Sequence, residues 1–483
     1  PWVMDAKDER EQKQRIALLF DLNRMGQEQN RAVQQLKKAQ ASSGAWPWFP
    51  GMRENRYITQ HIVTGLGHLN HLGVTHASEN RIMQRMVQRA LAYLDREIKE
   101  DHDRLKRQKV DLSKNHLTRT AIQYLYARSF FPNQAVLGQS REAEKYYLEQ
   151  AEKYWLQQPI YLQGMIALAL HQKGNTDVPP QIMASLKENA IVSNELGMYW
   201  KGMQGGYYWH QAPIETQALL IEAFTEVAED AASVAAMKLW LLQQKRTQNW
   251  KTTKATVEAC YALLLQGDDW LSRQPTVQLQ VGNQPVNPEA KEAGTGYTKT
   301  AWPGAEVTPK MATVTVEKAE EGAAWGALYW QYFEDLDKIT PHDTPLKLAQ
   351  QLFREVPSNT GPVIAPITDA TALKPGDKLT VRIELRSDRD LEYVHLKDMH
   401  ASGLDHVRTT SGYRYQDGLG YYESVKDASV NFFFDRLPRG TYVFEYKLKV
   451  THAGDFSNGI SQIQCLYAPE FTSHSAGVRV GVE

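Results

Sequence analysis

The sequence predicts a multidomain protein, α then β: an α/α toroid, incomplete at its N-terminus, followed by β-sandwich domains. Three observations carry this expectation. Apolar residues recur at helical spacing up to residue 268 and alternate with polar ones beyond residue 274. Within the first half, helices that are apolar nearly all round take turns with charged amphipathic ones. Aromatic loops precede several of the apolar helices, as expected if those helices all run the same way around a ring.

In chain order, Ile16, Leu19, Phe20, Leu22 and Met25 have amphipathic spacing, and Gly26 is expected to close that helix. Apolar inner helices follow at 57–69, 118–127, 160–170, 214–224 and 255–265, with charged outer helices at 81–99, 141–156 and 180–189. Two inner helices share wording, Ile214-Glu215-Thr-Gln-Ala-Leu-Leu220 beside Val257-Glu258-Ala-Cys-Tyr-Ala-Leu263, which marks an internal repeat. Strands are expected around 277–281, 312–316 and 325–333, with a Gly/Pro-rich insert at 294–309 and a short amphipathic link at 346–353. Leu379, Val381, Ile383 and Leu385, then Tyr442, Phe444, Tyr446, Leu448 and Val450, alternate as sandwich strands do, with turn signals at Lys374-Pro-Gly-Asp377 and Leu437-Pro-Arg-Gly440. The expected domains are 1–270, 271–343 and 344–483.

Bulk composition removes some functions. At 483 residues the chain has room for several cores. Its 55 Lys plus Arg against 56 Asp plus Glu leave no net field for nucleic acid, so no nucleic-acid partner is expected. No run of 18 or more apolar residues reads as a transmembrane segment, and the opening Pro-Trp-Val-Met carries no apolar signal region, so the chain reads as an excised or processed fragment. Cys260 and Cys465 lack a CxxC or His-rich setting and read as two buried small hydrophobes.

Gln40-Ala-Ser-Ser-Gly-Ala-Trp46 fits the Gln-x-x-x-Gly-x-Trp spacing that toroid terpene cyclases repeat, and a degenerate copy ends at Trp250. No Asp-x-Asp-Asp acid accompanies it, so the spacing reads as a Gln capping a helix end while the Trp packs into the next hairpin. A toroid acting on polysaccharides would need carboxylates flanked by aromatic platforms. Glu215 and Glu258 are candidates for that role, or for capping inner-helix N-termini. Trp46, Trp48, Tyr57, Tyr208, Trp209, His210 and Trp250 are the expected aromatic rim. His68 and His71, with His61 and His76 nearby, lack the carboxylate or Cys that would complete a ligand set, so no metal or other cofactor is expected.

Gly44-Ala-Trp-Pro-Trp-Phe-Pro-Gly51 leading into Tyr57-Ile-Thr-Gln-His-Ile-Val-Thr64, the Val257-Glu-Ala-Cys-Tyr-Ala-Leu-Leu264 helix and Trp325-Gly-Ala-Leu-Tyr-Trp330 together resemble the C-terminal part of bacterial α2-macroglobulin-like proteins. Tyr393-Val-His-Leu-Lys-Asp-Met399, Tyr413-Arg-Tyr-Gln-Asp-Gly418 and Tyr467-Ala-Pro-Glu-Phe471 extend the resemblance over essentially the whole chain. It implies a thioester-type toroid, a partial CUB-like region and a macroglobulin domain of receptor-binding type. The implied activity is that of an extracytoplasmic, broad-range protease inhibitor, not an enzyme. Its implied partners are proteases and the other macroglobulin domains of the same protein. The rim aromatics become expected lining of a thioester pocket, which must stay dry because water hydrolyses an activated acyl group. Cys260-Tyr-Ala-Leu263 and Cys465-Leu-Tyr-Ala468 lack the Gln of a thioester motif, so the bond and the bait segment are expected upstream of Pro1. A polysaccharide-active toroid, and a surface structural or adhesion protein without the trap, are the alternatives. An incomplete toroid is also expected to show an open apolar edge or to self-associate.

Overall fold

A computed structural model of the protein describes residues 22–73, 81–193, 195–201, 203, 205–206, 208–248, 250–265, 277–286, 299–318, 326, 328–359, 361–368, 371–416 and 418–483. The chain divides into two compact units, Pro1–Leu241 with Thr252–Trp325, and Leu242–Lys251 with Gly326–Glu483.

The helices begin with α1 (Leu22–Ala39), α2 (Arg56–His71), α3 (Arg81–Arg107), α4 (Arg119–Ser129) and α5 (Arg141–Tyr154). They continue with α6 (Ile160–Gln172), α7 (Val178–Glu188), α8 (Pro213–Glu226), α9 (Ala231–Thr247) and α10 (Thr253–Leu264). The even-numbered helices are the inner ones. Every residue from Tyr161 to Leu170 of α6 is buried, as is every residue from Glu215 to Thr225 of α8. Burying a Leu or Ile side chain in such a helix stabilises it by about 2 kcal/mol relative to exposure. Successive inner helices pack on one another from α2 through α4, α6 and α8 to α10. Between the first and last of these inner helices, His68 of α2 stacks on Tyr261 of α10, with ring centres 3.7 Å apart and planes within 4°. The first turns are fixed by side-chain caps: Ile58 N donates to Asn55 Oδ1 at 3.0 Å, Ala121 N to Thr118 Oγ1 at 3.1 Å and Ala255 N to Thr252 Oγ1 at 3.0 Å.

The loop from residue 40 shows what the Gln-x-x-x-Gly-x-Trp spacing does. Gln40 Nε2 donates to the Gly44 carbonyl at 2.8 Å and to the Met86 carbonyl of α3 at 2.9 Å. Gly44 sits at φ +103°, and a Cβ there would lie 2.3 Å from the Arg89 carbonyl, so only glycine fits both the backbone and the approach. Trp46 Nε1 donates to the Leu36 carbonyl of α1 at 2.9 Å, and its backbone N to Thr59 Oγ1 of α2 at 3.0 Å. A short ladder, β1 (Trp46–Pro47) with β2 (Glu54–Asn55), finishes the loop. A hairpin of β3 (Ala190–Ser193) and β4 (Gly197–Trp200) lies between α7 and α8. Beyond the helices, β5 (Val277–Val281), β6 (Gln284–Val286) and β7 (Val314–Lys318) form a sheet in the order β6-β5-β7, grouped with the helices in the first unit.

The second unit is a β-sandwich. Its strands are β8 (Leu346–Val356), β9 (Val363–Pro366), β10 (Lys378–Ser387), β11 (Leu391–Met399), β12 (Leu404–His406), β13 (Gly412–Gln416) and β14 (Leu419–Lys426). Then follow β15 (Ser429–Leu437), β16 (Gly440–Val450), β17 (Gly454–Gly459), β18 (Ser461–Cys465), β19 (Ala468–His474) and β20 (Val478–Val482). One sheet has the order β12-β16-β10-β8-β9 and the other β13-β14-β15-β11-β18-β19, with β17 and β20 paired separately. Leu379, Val381, Ile383 and Leu385 meet Val394, Leu396, Phe432 and Phe434 in one apolar core. Inside it Asp398 accepts from Gln350 Nε2 at 2.6 Å, from Tyr446 Oη at 2.6 Å and from Ser461 Oγ, tying strands of both sheets together. Burial pushes the Asp398 carboxyl up to about 6 even though all three donors favour its charged form.

Four expectations are corrected. Gly26 does not close the first helix: α1 runs through it to Ala39, because the strong helix formers that follow outweigh the roughly 1 kcal/mol a glycine costs. Residues 16–21 of that expected helix lie outside the described residues. Residues 346–353 are not a link but the start of β8, and register with β10 supplies the ladder partners. At 325–333, residues 326 and 328–333 form no strand, and Leu328, Trp330 and Phe333 are exposed. Cys465 is buried, but Cys260 is exposed on α10.

Candidate functional site

The inner helices bring ionisable groups into the middle of the ring. Glu222 of α8, 1% exposed, accepts from Tyr261 Oη at 2.9 Å on one oxygen and from Tyr126 Oη on the other. Tyr126 Oη also lies 3.0 Å from His68 Nε2, which links the histidine to this pair. On its other side His68 Nδ1 lies 3.7 Å from Glu258 Oε2. The two phenols favour an ionised Glu222, but burial and the neighbouring Glu226 push its carboxyl well above the ordinary value, and burial wins. Burial also drives His68 down to about 3, so the histidine is neutral and its contacts with Glu222 and Glu258 are not ion pairs. Glu258 is pushed up to about 7 by burial, against the opposing pull of Lys254. At the open end of α2, His71 Nε2 lies 3.0 Å from Glu226 Oε1, which raises that histidine.

Above this network sit the aromatic rings. Trp48 stacks on Tyr57 at 5.9 Å, Tyr57 meets Trp209 at 5.4 Å, and Trp209 meets Tyr161 edge-on at 5.8 Å. Lys254 Nζ lies 5.5 Å from the Tyr161 ring centre and 5.8 Å from that of Trp209, a cation held between two aromatic faces. Burial lowers the Lys254 ammonium and, with Lys254 itself, holds His61 down at about 4. Tyr57 is pushed up to about 12 by burial and by Glu215 and Glu258. Beneath the rings, His61, Thr64, Gln123, Tyr126, Tyr161 and Glu258 line a cavity with room for about one water, far less than a sugar ring needs.

The structure therefore assembles Trp48, Tyr57, Trp209 and Glu258, with Tyr208 and His210 stacked on each other at 5.7 Å alongside Trp209. Trp46 lies in the core rather than on a rim, because its indole is anchored to α1. Trp250 falls in the second unit, where Lys245 Nζ lies 5.6 Å from its ring centre. Glu215 stands in the first turn of α8, where the helix dipole favours a carboxylate. Glu258 does not cap α10, whose cap is Thr252; it lies a turn deeper and faces the ring. Sequence reasoning missed Glu222, Tyr126, Tyr161, Tyr261 and Lys254. Among the described residues no group of three or more His, Cys, Asp or Glu is placed to hold a metal, and His76 lies outside them.

Residues 347–470 match the family model described as the bacterial alpha-2-macroglobulin MG10 domain. The chain is alpha-2-macroglobulin-like through this domain. The match covers the sandwich from β8 into β19, in a chain that runs from a helical region into β-sheets. Solved structures of the same kind align at low identity. A point mutant of Salmonella alpha-2-macroglobulin is 15% identical over 92% of this chain and 27% of that one, with a TM-score of 0.35. Escherichia coli alpha-2-macroglobulin activated by porcine elastase is 13% identical over 94% and 39%, with a TM-score of 0.40. The native Escherichia coli protein from domain MG7 to the C-terminus is 12% identical over 93% and 67%, with a TM-score of 0.36. The chain thus spans about a quarter of the length of the Salmonella protein. No curated protein sequence matches it. No described helix is long and apolar enough to cross a membrane.

Proposed function

We propose that this chain is the C-terminal part of a protease-trapping macroglobulin that works outside the cytoplasm. The observation that carries the proposal is the MG10 match over residues 347–470. In this reading the toroid, residues 1–270, shelters a thioester whose Cys and Gln are supplied by residues outside this chain. Residues 271–343 are the CUB-like region and 344–483 the macroglobulin domain that contacts its neighbours. Trp48 stacks on Tyr57, Tyr57 meets Trp209, and these rings adjoin His61 and Tyr161, which line a cavity that admits about one water; this supports their assignment to the wall of the reactive pocket.

A trap has a signature that an active-site inhibitor lacks: the caged protease loses large substrates and keeps small ones. The full-length protein, incubated with trypsin, is expected to abolish casein digestion while leaving cleavage of a small peptide amide largely intact. Treatment with methylamine, a small nucleophile that consumes a thioester, is expected to remove the covalent protease adduct. If both activities fall together, or neither falls, the chain does not belong to a trap.

A further inference from the structure

The turn after β11 brings two imidazoles together within the second unit. His400 follows the last residue of β11, and His406 closes β12. His400 is buried, and its Nδ1 lies 3.2 Å from the Ala401 carbonyl, which fixes that nitrogen as the N–H and leaves Nε2 with a bare lone pair. This Nε2 lies 2.8 Å from His406 Nε2, which in turn lies 3.1 Å from the Lys426 carbonyl. The ring centres are 4.4 Å apart and the planes stand at 89°.

Those two distances do not describe a head-on hydrogen bond. Imidazole nitrogens pointing straight at each other across 2.8 Å would hold their ring centres about 5 Å apart. The 4.4 Å between ring centres fits nitrogens whose lone pairs meet near a right angle at a point beside the line that joins them. Two nitrogens each about 2.0 Å from a common metal and at right angles would be about 2.8 Å apart, with ring centres about 4.4 Å apart. A tetrahedral pair would need about 3.3 Å between nitrogens. We propose that His400 Nε2, His406 Nε2 and the Lys426 carbonyl form a binding site for a divalent transition metal of tetragonal preference, Cu2+ before Ni2+.

The surroundings suit a cation. Asp405 and Asp427 place negative charge beside His406, and the Tyr446 ring stands 5.8 Å from it on another side. The Nδ1 contact to Ala401 is the kind of carbonyl support that orients metal-bound imidazoles. In the metal-free chain a proton on His406 Nε2 occupies this point. As the metal enters, His406 takes the Nδ1–H tautomer, and no other group need change its charge.

The test is a titration of the tag-free 483-residue protein with CuSO4, read by calorimetry and by electron paramagnetic resonance. One Cu2+ is expected to show hyperfine splitting from two nitrogens and to bind at least ~10-fold more tightly than Zn2+. His400→Gln and His406→Gln are each expected to weaken Cu2+ binding at least ~10-fold and to remove one nitrogen from the spectrum. The exposed His452→Gln is expected to change neither. Should His400→Gln unfold, the partly exposed His406→Gln decides alone. An affinity and spectrum unchanged in His406→Gln overturn the site, as does a loss of equal size in His452→Gln.

Discussion

Replacing Glu258 by Gln is expected to stabilise the helical unit at neutral and alkaline pH and to do little in acid. The carboxyl lies in the second turn of α10, faces His68 Nδ1 at 3.7 Å and is raised by burial to about 7 from an ordinary 4.5. A carboxyl whose folded-state value is raised lowers stability as pH rises. Between pH 4.5 and about 7 the unfolded chain releases the proton while the folded chain holds it. Each pH unit in that window costs the fold about 1.4 kcal/mol, and the loss levels off above pH 7 at about 3 kcal/mol. The amide introduced by Glu258→Gln has the same shape and no proton to hold, but forfeits the attraction of Lys254, so a net gain of about 2 kcal/mol at about pH 8 is expected. The assay is urea unfolding followed by helical far-ultraviolet circular dichroism at about pH 5 and about pH 8, with wild type and variant side by side. The helical signal reports mainly the first unit. A variant less stable than wild type at the higher pH, or a difference of the same size at both, would mean that Glu258 is ionised throughout and that burial does not dominate.

Two further substitutions test the buried networks. Tyr261→Phe keeps the ring that stacks on His68 but removes the hydroxyl donated to Glu222, and is expected to destabilise the helical unit by about 1–3 kcal/mol in the same unfolding assay, whereas an unchanged midpoint would mean Glu222 is satisfied by other means. Asp398→Ala leaves the buried donors of Gln350, Tyr446 and Ser461 without their shared acceptor and is expected to destabilise the sandwich by about 3 kcal/mol or more, measured by the near-ultraviolet dichroism of its tyrosines.

The inner helices were legible because burial on all sides leaves a mark in every local window. The ranges 57–69, 118–127, 160–170, 214–224 and 255–265 fall on α2, α4, α6, α8 and α10 to within a few residues. The first helix was cut short because Gly26 reads locally as a stop, while the sequence after it carries the stronger preference. The start of β8 was misread because Leu346, Ala349 and Phe353 satisfy a helical period as well as Leu346, Leu348 and Leu352 satisfy an alternating one. Only the ladder with β10, distant in sequence, decides between them.

The interior site was illegible for a related reason. Tyr126 and Glu222 are 96 residues apart, His68 and Tyr126 58, and Tyr261 and Glu222 39, so no local window contains a pair. The repeat says which helices line the ring, but the phase of each helix decides which side chains meet inside it. A glutamine does recur near the start of four inner helices, as Gln60, Gln123, Gln163 and Gln217, but it does not set that phase. Gln60 Nε2 donates to Gln123 Oε1 at 2.9 Å, and Gln217 Nε2 to the Met198 carbonyl at 2.8 Å. Counting from these anchors, Tyr57 and His61 flank Gln60, while Tyr161 precedes Gln163 by two positions. Tyr126 and Glu222 lie three and five positions beyond Gln123 and Gln217, one turn further along α4 and α8. Offsets of three and five positions point about 200° apart around a helix, so no single anchor sets the phase of every inner helix, and only the packing of the ring brings these phenols and carboxyls together.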